Sequence, residues 1–291
     1  MTDSAPTGPK LSPELLARIL GKLELTERPA RDLAGLNRLY AAYCGQVPND
    51  NIQKRIWLTG KQTDAVTGGD PVEFFENWLT HGTGGTCFPA GGGLCALLRA
   101  LGFNAKHFSG SVMMEGIEQG ANHGSVLVAL EGTDYLVDAQ HASFTALPII
   151  PGQPSSTGNG IHDIHSVPVA GGFELQCYPG SNRWDPLRIR FDPENGVVDH
   201  NFFLAHYALS ALRERNRSPY NDALFICRRF PDAIVIIGHG NKIVVSSDNT
   251  VTKSAITIAE RNRILIEELG ISEEVTRAIP PDDEGGIAPA R

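Results

Sequence analysis

Gly84-Gly85-Thr86-Cys87-Phe88-Pro89, followed by Ala90-Gly91-Gly92-Gly93-Leu94-Cys95-Ala96-Leu97-Leu98-Arg99-Ala100-Leu101-Gly102, is the stretch on which the fold turns. A Gly-Gly pair feeds a run whose leucines recur at helical spacing, and Gly102 is a fitting stop. The pattern predicts a loop entering a buried helix, with Cys87 at its start. Pro89 suits the first turn, where a missing N–H is no loss. A thiol there meets unpaired backbone N–H groups and the positive end of the helix dipole, and both favour thiolate. Taken alone, such a cysteine reads at least as well as core packing, because free cysteine is among the most buried residue types. Gly91, Gly92 and Gly93 each weaken a helix by up to about 1 kcal/mol relative to alanine. Either a close approach near Cys87 offsets that loss, or packing holds a weak helix.

Downstream, Asn122-His123-Gly124-Ser125 opens the apolar run Val126 to Leu130. Gly132-Thr133 then supplies a turn, and Tyr135-Leu136-Val137 leads to Asp138. Two β-rich runs with a short turn between them read as a hairpin. His123 and Asp138 are 15 residues apart with the turn near the middle, so the hairpin brings them side by side. A cysteine, a histidine and a carboxylate able to orient that histidine are the parts of a nucleophilic triad.

These residues carry a resemblance. Gly84-Gly85-x-Cys87-Phe88, the helix ending Leu97 to Phe103, His123 and Leu136-Val137-Asp138 look like the arylamine N-acetyltransferase family. Leu36-Asn37-Arg38-Leu39-Tyr40 and Val47-Pro48-Asn49-Asp50-Asn51-Ile52 resemble its early helix and its Pro-Phe-Glu-Asn segment. Ser218-Pro219-Tyr220-Asn221, Ile226-Cys227-Arg228-Arg229 and the Gly238 to Ile243 stretch are similar to its third domain, so residues 11 to 275 are covered. The resemblance implies an acyltransferase with catalytic Cys87, His123 and Asp138, and with Phe88, Gly124, Phe203 and Gly240 facing substrate. It implies acyl-CoA or an acyl carrier protein as donor, a small amine such as an arylamine or hydrazine as acceptor, no tightly bound cofactor and no metal.

The chain also departs from the family, which has Arg at Thr83, Glu at Pro89 and Asn at Gly91, and Phe-Glu at Asn49-Asp50. The family's Asp-Val-Gly-Phe-Gly is here Asp138-Ala139-Gln140-His141-Ala142. A lost carboxylate, a lost amide and three glycines near the nucleophile imply room for an acyl group larger than acetyl. Relatives that act as amide synthases or cyclases, releasing a carrier-bound chain, fit the same changes. A Cys-His-Asp hydrolase or transglutaminase-like enzyme uses the same triad. A binding protein without catalysis is disfavoured by retention of all three residues.

Composition narrows the class. The 291 residues are 41% hydrophobic and 20% charged, as in ordinary globular proteins. A net charge of −8 argues against nucleic acid or anionic membrane as a partner. Five cysteines without a CxxC pair argue against a disulfide framework or structural zinc and for a reducing cytoplasm. Cys95 lies eight residues past Cys87, about 80° around the helix, and reads as core, as do Cys44 and Cys227. His162 with His165, and His200 with His206, lack a second ligand pair and read as packed or solvated.

The periodicities give an α+β fold. Residues 1–10 are expected to be disordered. Residues 11–103 form a helical domain carrying the nucleophile, with helices from Pro13, over 31–44, over 71–81 and after Cys87. Residues 104–199 form a central antiparallel β-barrel or sheet carrying His123 and Asp138, with 151–172 a long Pro/Gly/Ser-rich loop. A linking helix spans 200–219, an α/β lid spans 220–275, and 276–291 read as a disordered tail. The arrangement expected of the three catalytic residues is like that of a cysteine protease.

Overall fold

The computed structural model describes residues 8–60, 62, 64–114, 117–118, 120–179, 186–212 and 219–282. The first third is helical: α1 (Pro13–Lys22), α2 (Leu33–Gln46), a short strand β1 (Asn49–Asp50), α3 (Ile52–Thr59), α4 (Pro71–His81) and α5 (Cys87–Ala100). Three of these helices start on side-chain caps. Ser12, Asp32 and Asp70 each accept a backbone N–H of the first turn. Leu15, Ile19, Leu36, Leu39, Phe74, Phe75 and Trp78 close over Leu94, Leu97 and Leu98 of α5. On its other side α5 meets Val126, Val128 and Val137 of the sheet, so every residue from 88 to 98 is buried.

The middle section is a nearly closed antiparallel barrel: β2 (Asn104–Met114), β3 (Ile117–Glu118), β4 (His123–Leu130), β5 (Thr133–Val137), β6 (Leu147–Ile149), β7 (Ser155–Thr157), β8 (His162–Val169), β9 (Gly172–Pro179), β10 (Leu187–Phe191) and β11 (Val197–Val198). The strands run in the order β6-β5-β4-β2-β10-β9-β8-β7, and the Ser155 hydroxyl of β7 donates to the Pro148 carbonyl of β6 where the two ends meet. Phe108, Phe173 and Phe191 stack inside it, with Phe108 and Phe191 4.9 Å apart. The expectation of a long loop over 151–172 needs correction, because β7 and β8 lie there. Local Pro, Gly and Ser content reads as loop, yet β8 pairs with β9 from His162 to Val169 and satisfies its backbone that way.

Helices α6 (His200–Ala211) and α7 (Pro219–Asp222) lead to β12 (Phe225–Phe230), β13 (Ala233–Gly238), β14 (Asn241–Ser246), β15 (Val251–Ala255), α8 (Ile258–Glu267) and α9 (Glu273–Ala278). The second sheet runs β1-β12-β13-β14-β15, so its edge strand comes from residues 49–50. Helix α3, strand β15 and helix α9 had no counterpart in the periodicity reading. The disorder expected from 276 onward is also corrected over 276–282. Asp282 pairs with Arg55 at 2.7 Å and accepts the Leu224 N–H at 2.7 Å. The Arg55 side chain is only 2% exposed, and a buried guanidinium needs such a partner. Residues 1–7 and 283–291, also expected to be disordered, lie outside the described residues, as do 184–185 of an expected strand and 213–215 of the linking helix.

Asn51 ties the helical third of the chain to the start of the second sheet. Its amide donates to Tyr220 O (2.8 Å) and Ala223 O (2.7 Å), and its side-chain oxygen accepts the Phe225 N–H at 2.9 Å. Asn51→Ala leaves these buried groups unpaired and is expected to lower stability by about 2–4 kcal/mol, read from urea unfolding.

Candidate active site

The loop before Cys87 is shaped by close backbone approach. A Cβ on Gly84 would sit 1.8 Å from Pro48 O, and one on Gly85 would sit 2.8 Å from the Pro89 ring. Asp50 holds this loop, with Oδ2 accepting the Gly84 N–H at 2.6 Å and Oδ1 accepting the Ile52 N–H at 2.9 Å. Burial, opposed by those two bonds, pushes the Asp50 carboxyl up to about 7. Thr86 is the N-cap of α5 but makes no side-chain cap bond. The first backbone bond of the helix is Ala90 N–H to Thr86 O, which leaves the Cys87 and Phe88 amides outside the helical ladder.

The barrel brings the other two residues. Val126 of β4 pairs with Val137 of β5, so His123 and Asp138 flank the same end of the hairpin. His123 Nε2 and Asp138 Oδ2 are 2.6 Å apart, and both residues are buried. Cys87 lies close enough to the His123 ring to favour its cation. The Cys87 thiol lies 3.8 Å from Asn122 O. Burial disfavours the His123 cation, but Asp138 and then Cys87 outweigh it and raise its pKa to about 10. Burial works against the Asp138 carboxylate too, and His123 with the His141 N–H holds it well below the usual range. His141 packs 5.3 Å from the His123 ring, and burial pulls it down to about 3.

Phe88, Gly124 and Phe203 come together beside the nucleophile. Phe88 meets Phe203 edge-on at 5.2 Å, and a Cβ on Gly124 would lie 2.8 Å from the Phe88 ring and 3.0 Å from Phe203. Cys87 packs on the same cluster with Tyr207 and Leu58. Gly240 does not join them and is corrected. It turns β13 into β14 with φ of +69° and lines a lid cleft with Leu224, Ile237, Ile256 and Arg261. Cys44, Cys95, Cys177 and Cys227 are buried and their thiols are pushed up, while Cys87 is partly exposed. Among the described residues, no group of three or more His, Cys, Asp and Glu could hold a metal, and no helix is long and apolar enough to cross a membrane.

Sequence reasoning missed several groups. The Tyr40 hydroxyl donates to Asp138 O at 2.9 Å and accepts the Asp138 N–H at 3.1 Å. The Ser125 hydroxyl donates to Asp138 Oδ2. Lys54, 2% exposed, reaches Ser210 O at 2.9 Å, and burial, opposed by Cys87, pulls it down to about 8. Ser125 alone had a legible signal, since it lies two residues beyond His123 and a strand shows alternate residues on one face. The glycines gain a new reading as well. A Cβ on Gly93 would be 2.6 Å from the Phe74 ring, and one on Gly91 would be 3.2 Å from Gly124 O and 3.3 Å from Phe203. Packing against α4 and β4 therefore fills the space at both.

The chain matches the N-acetyltransferase family over residues 32–278. It belongs to the arylamine N-acetyltransferase family. The members of this family are enzymes. Similar solved structures include the Mycobacterium smegmatis arylamine N-acetyltransferase, at 18% identity over 91% of this chain and 97% of that one, with a TM-score of 0.77. The Salmonella typhimurium arylamine N-acetyltransferase is 18% identical over 93% and 98%, with a TM-score of 0.75. The Mycobacterium marinum arylamine N-acetyltransferase in complex with CoA is 16% identical over 90% and 97%, with a TM-score of 0.75. No curated protein sequence matches. At these identities the solved structures show that this N-acetyltransferase chain shares their fold.

Two stability tests probe this neighbourhood. Gly93→Ala should destabilise by about 1–3 kcal/mol through the Phe74 clash. Gly92→Ala, whose Cβ meets nothing within 4 Å, should stabilise by about 0.5–1 kcal/mol. Thermal unfolding checks both. Asp50 gives the second. Its folded pKa of about 7 lies above its unfolded value, so its contribution to stability is full below about pH 4 and is lost as pH rises through 7. Wild type should therefore lose stability relative to Asp50→Asn between pH 4 and pH 7, measured by urea unfolding across that range.

Proposed function

We propose that this family member transfers an acyl group from an acyl thioester to an amine by way of a thioester on Cys87. The observation that carries the reading is the buried His123–Asp138 pair, 2.6 Å apart, with Cys87 beside it at the open start of α5. In the first half-reaction the Cys87 sulfur attacks the thioester carbonyl carbon, and its proton resides on His123. The oxyanion of the tetrahedral intermediate accepts hydrogen bonds from the Cys87 and Phe88 amides. Collapse breaks the bond to the carrier sulfur, which leaves with the His123 proton. In the second half-reaction the amine nitrogen attacks the Cys87 thioester and gives a proton to His123. Collapse releases the amide and restores the Cys87–His123 pair. Asp138 keeps His123 in one tautomer and stabilises its cation throughout.

The layout behind this reading has the nucleophile on the helical domain (11–103) and His123 and Asp138 on the β-domain (104–199). The chain from α6 (His200–Ala211) onward leads to the lid, which extends to 282. The Mycobacterium marinum relative is a complex with CoA, which makes acyl-CoA the donor to test first. An acyl carrier protein is the alternative donor, and an arylamine or hydrazine is the acceptor. Acetyl is the acyl group favoured by packing. The space beside Gly91 and Gly93 is filled, and Gly92 lies about 140° around α5 from Cys87. Phe88, Phe203 and Tyr207 form an apolar wall suited to an aromatic amine. A free Cys87 thiol suits the reducing cytoplasm expected for the chain.

Intact-protein mass spectrometry after incubation with acetyl-CoA tests the proposal. One acetyl group should appear on Cys87, and an added arylamine should remove it as the amide. Cys87→Ser should carry no thioester, and His123→Ala should slow acetylation by at least about 100-fold. Acetylation of another cysteine, or of none with acetyl- and longer acyl-CoAs alike, sinks the reading.

A further inference from the structure

Asp138 is wholly buried, and its two oxygens accept four hydrogen bonds. Oδ1 takes the Gln140 N–H at 2.9 Å and the His141 N–H at 2.7 Å. Oδ2 takes His123 Nε2 at 2.6 Å and the Ser125 hydroxyl. A carboxylate offers about four acceptor positions, so this one is saturated. Ser125 is wholly buried and stands on β4 two residues from His123, opposite Asp138 in the extended register of the hairpin. Its single proton goes to the same oxygen that His123 uses.

That shared oxygen has two consequences. The backbone N–H groups fix one end of the carboxylate, and the hydroxyl fixes the other, so Oδ2 cannot swing away from His123. The hydroxyl also draws charge from Oδ2, which lessens the pull of Asp138 on the His123 proton. We propose that Ser125 is a positioning residue for the acyl-transfer reaction, acting through Asp138 to aim the carboxylate and to set how tightly His123 holds its proton. The role in turnover rests on the function proposed above.

The groups that face this pair are Cys87 from α5, Tyr40 and Cys44 from α2, His141 from the loop after β5 and Cys177 from β9, with Arg229 of β12 acting on His141 and Cys177 behind them. Burial keeps Tyr40, Cys44 and Cys177 protonated and His141 neutral through the neutral range. The titration of His123 near neutral and alkaline pH is therefore governed by Asp138, Cys87 and the Ser125 hydroxyl.

The experiment follows the His123 ring by nitrogen-15 NMR as a function of pH, in parallel with the pH dependence of Cys87 acetylation. In Ser125→Ala the His123 midpoint and the alkaline limb of acetylation should both move up by about one pH unit, and the maximal rate should fall several-fold. Ser125→Thr keeps the hydroxyl and should restore wild-type values. Ser125→Cys keeps the volume with a weaker donor and should shift the same way as Ala, which covers the case of an unstable Ala variant. An unchanged midpoint in both the Ala and Cys variants overturns the proposal, whatever their melting temperatures. The NMR midpoint needs no turnover. A shifted midpoint without any acetylation would uphold the Ser125–Asp138–His123 coupling while refuting the acyl-transfer reading.

Discussion

A carboxylate with no access to water must be surrounded by donors, and Asp138 is where that requirement ties the molecule together. Its side chain takes donors from β4 and from the loop that follows β5. Its backbone is clasped by Tyr40 of α2, a residue 98 positions away. Gln140, in the same loop, donates to the Tyr220 hydroxyl at 2.8 Å and reaches toward the lid. Removing any one of these contacts leaves a buried charge or amide uncompensated. The helical layer, the barrel and the lid are thus fastened at the place where the chemistry is proposed to occur.

The approach of α5 to the barrel follows from the same logic applied to packing. Cys87 can reach His123 only if the start of α5 lies against β4, and Gly91 and Gly124 remove the side chains that would hold them apart. Phe203 and Phe88 then fill the remaining space and form one wall of the site. Glycines inside a helix weaken it locally, and close contact with Phe74 and β4 supplies the offset. The departures from the family pattern near Cys87 are absorbed in packing and in the Asp50 bonds to the loop.

The second sheet shows how distant pieces of chain share one element. Its edge strand, residues 49–50, belongs by sequence to the helical third, and Asn51 continues the contact with three side-chain bonds to residues 220–225. Arg55 and Asp282 close the same region from opposite ends of the chain. The loop that positions Cys87 is bridged to Asn49, so the lid and the nucleophile loop are mechanically linked.

Sequence by itself determined what depends on neighbours in the chain. Helical spacing with Pro89 and Gly102 marks α5, and two apolar β-rich runs around a short turn, which the structure places at Glu131-Gly132, mark the hairpin that sets His123 beside Asp138. Family-like motifs in order from Leu36 to Ile243 point to the family whose match spans residues 32–278. Tertiary structure alone decided what depends on contacts across many residues. It paired β8 with β9 through a stretch whose composition reads as loop, ordered 276–282 through Arg55, and carried Gly240 into a separate cleft. It also supplied Asp138 with Tyr40. The physical reason is that periodicity reports which face of an element is apolar, whereas hydrogen-bond partners and close approaches are fixed only once elements distant in sequence pack together.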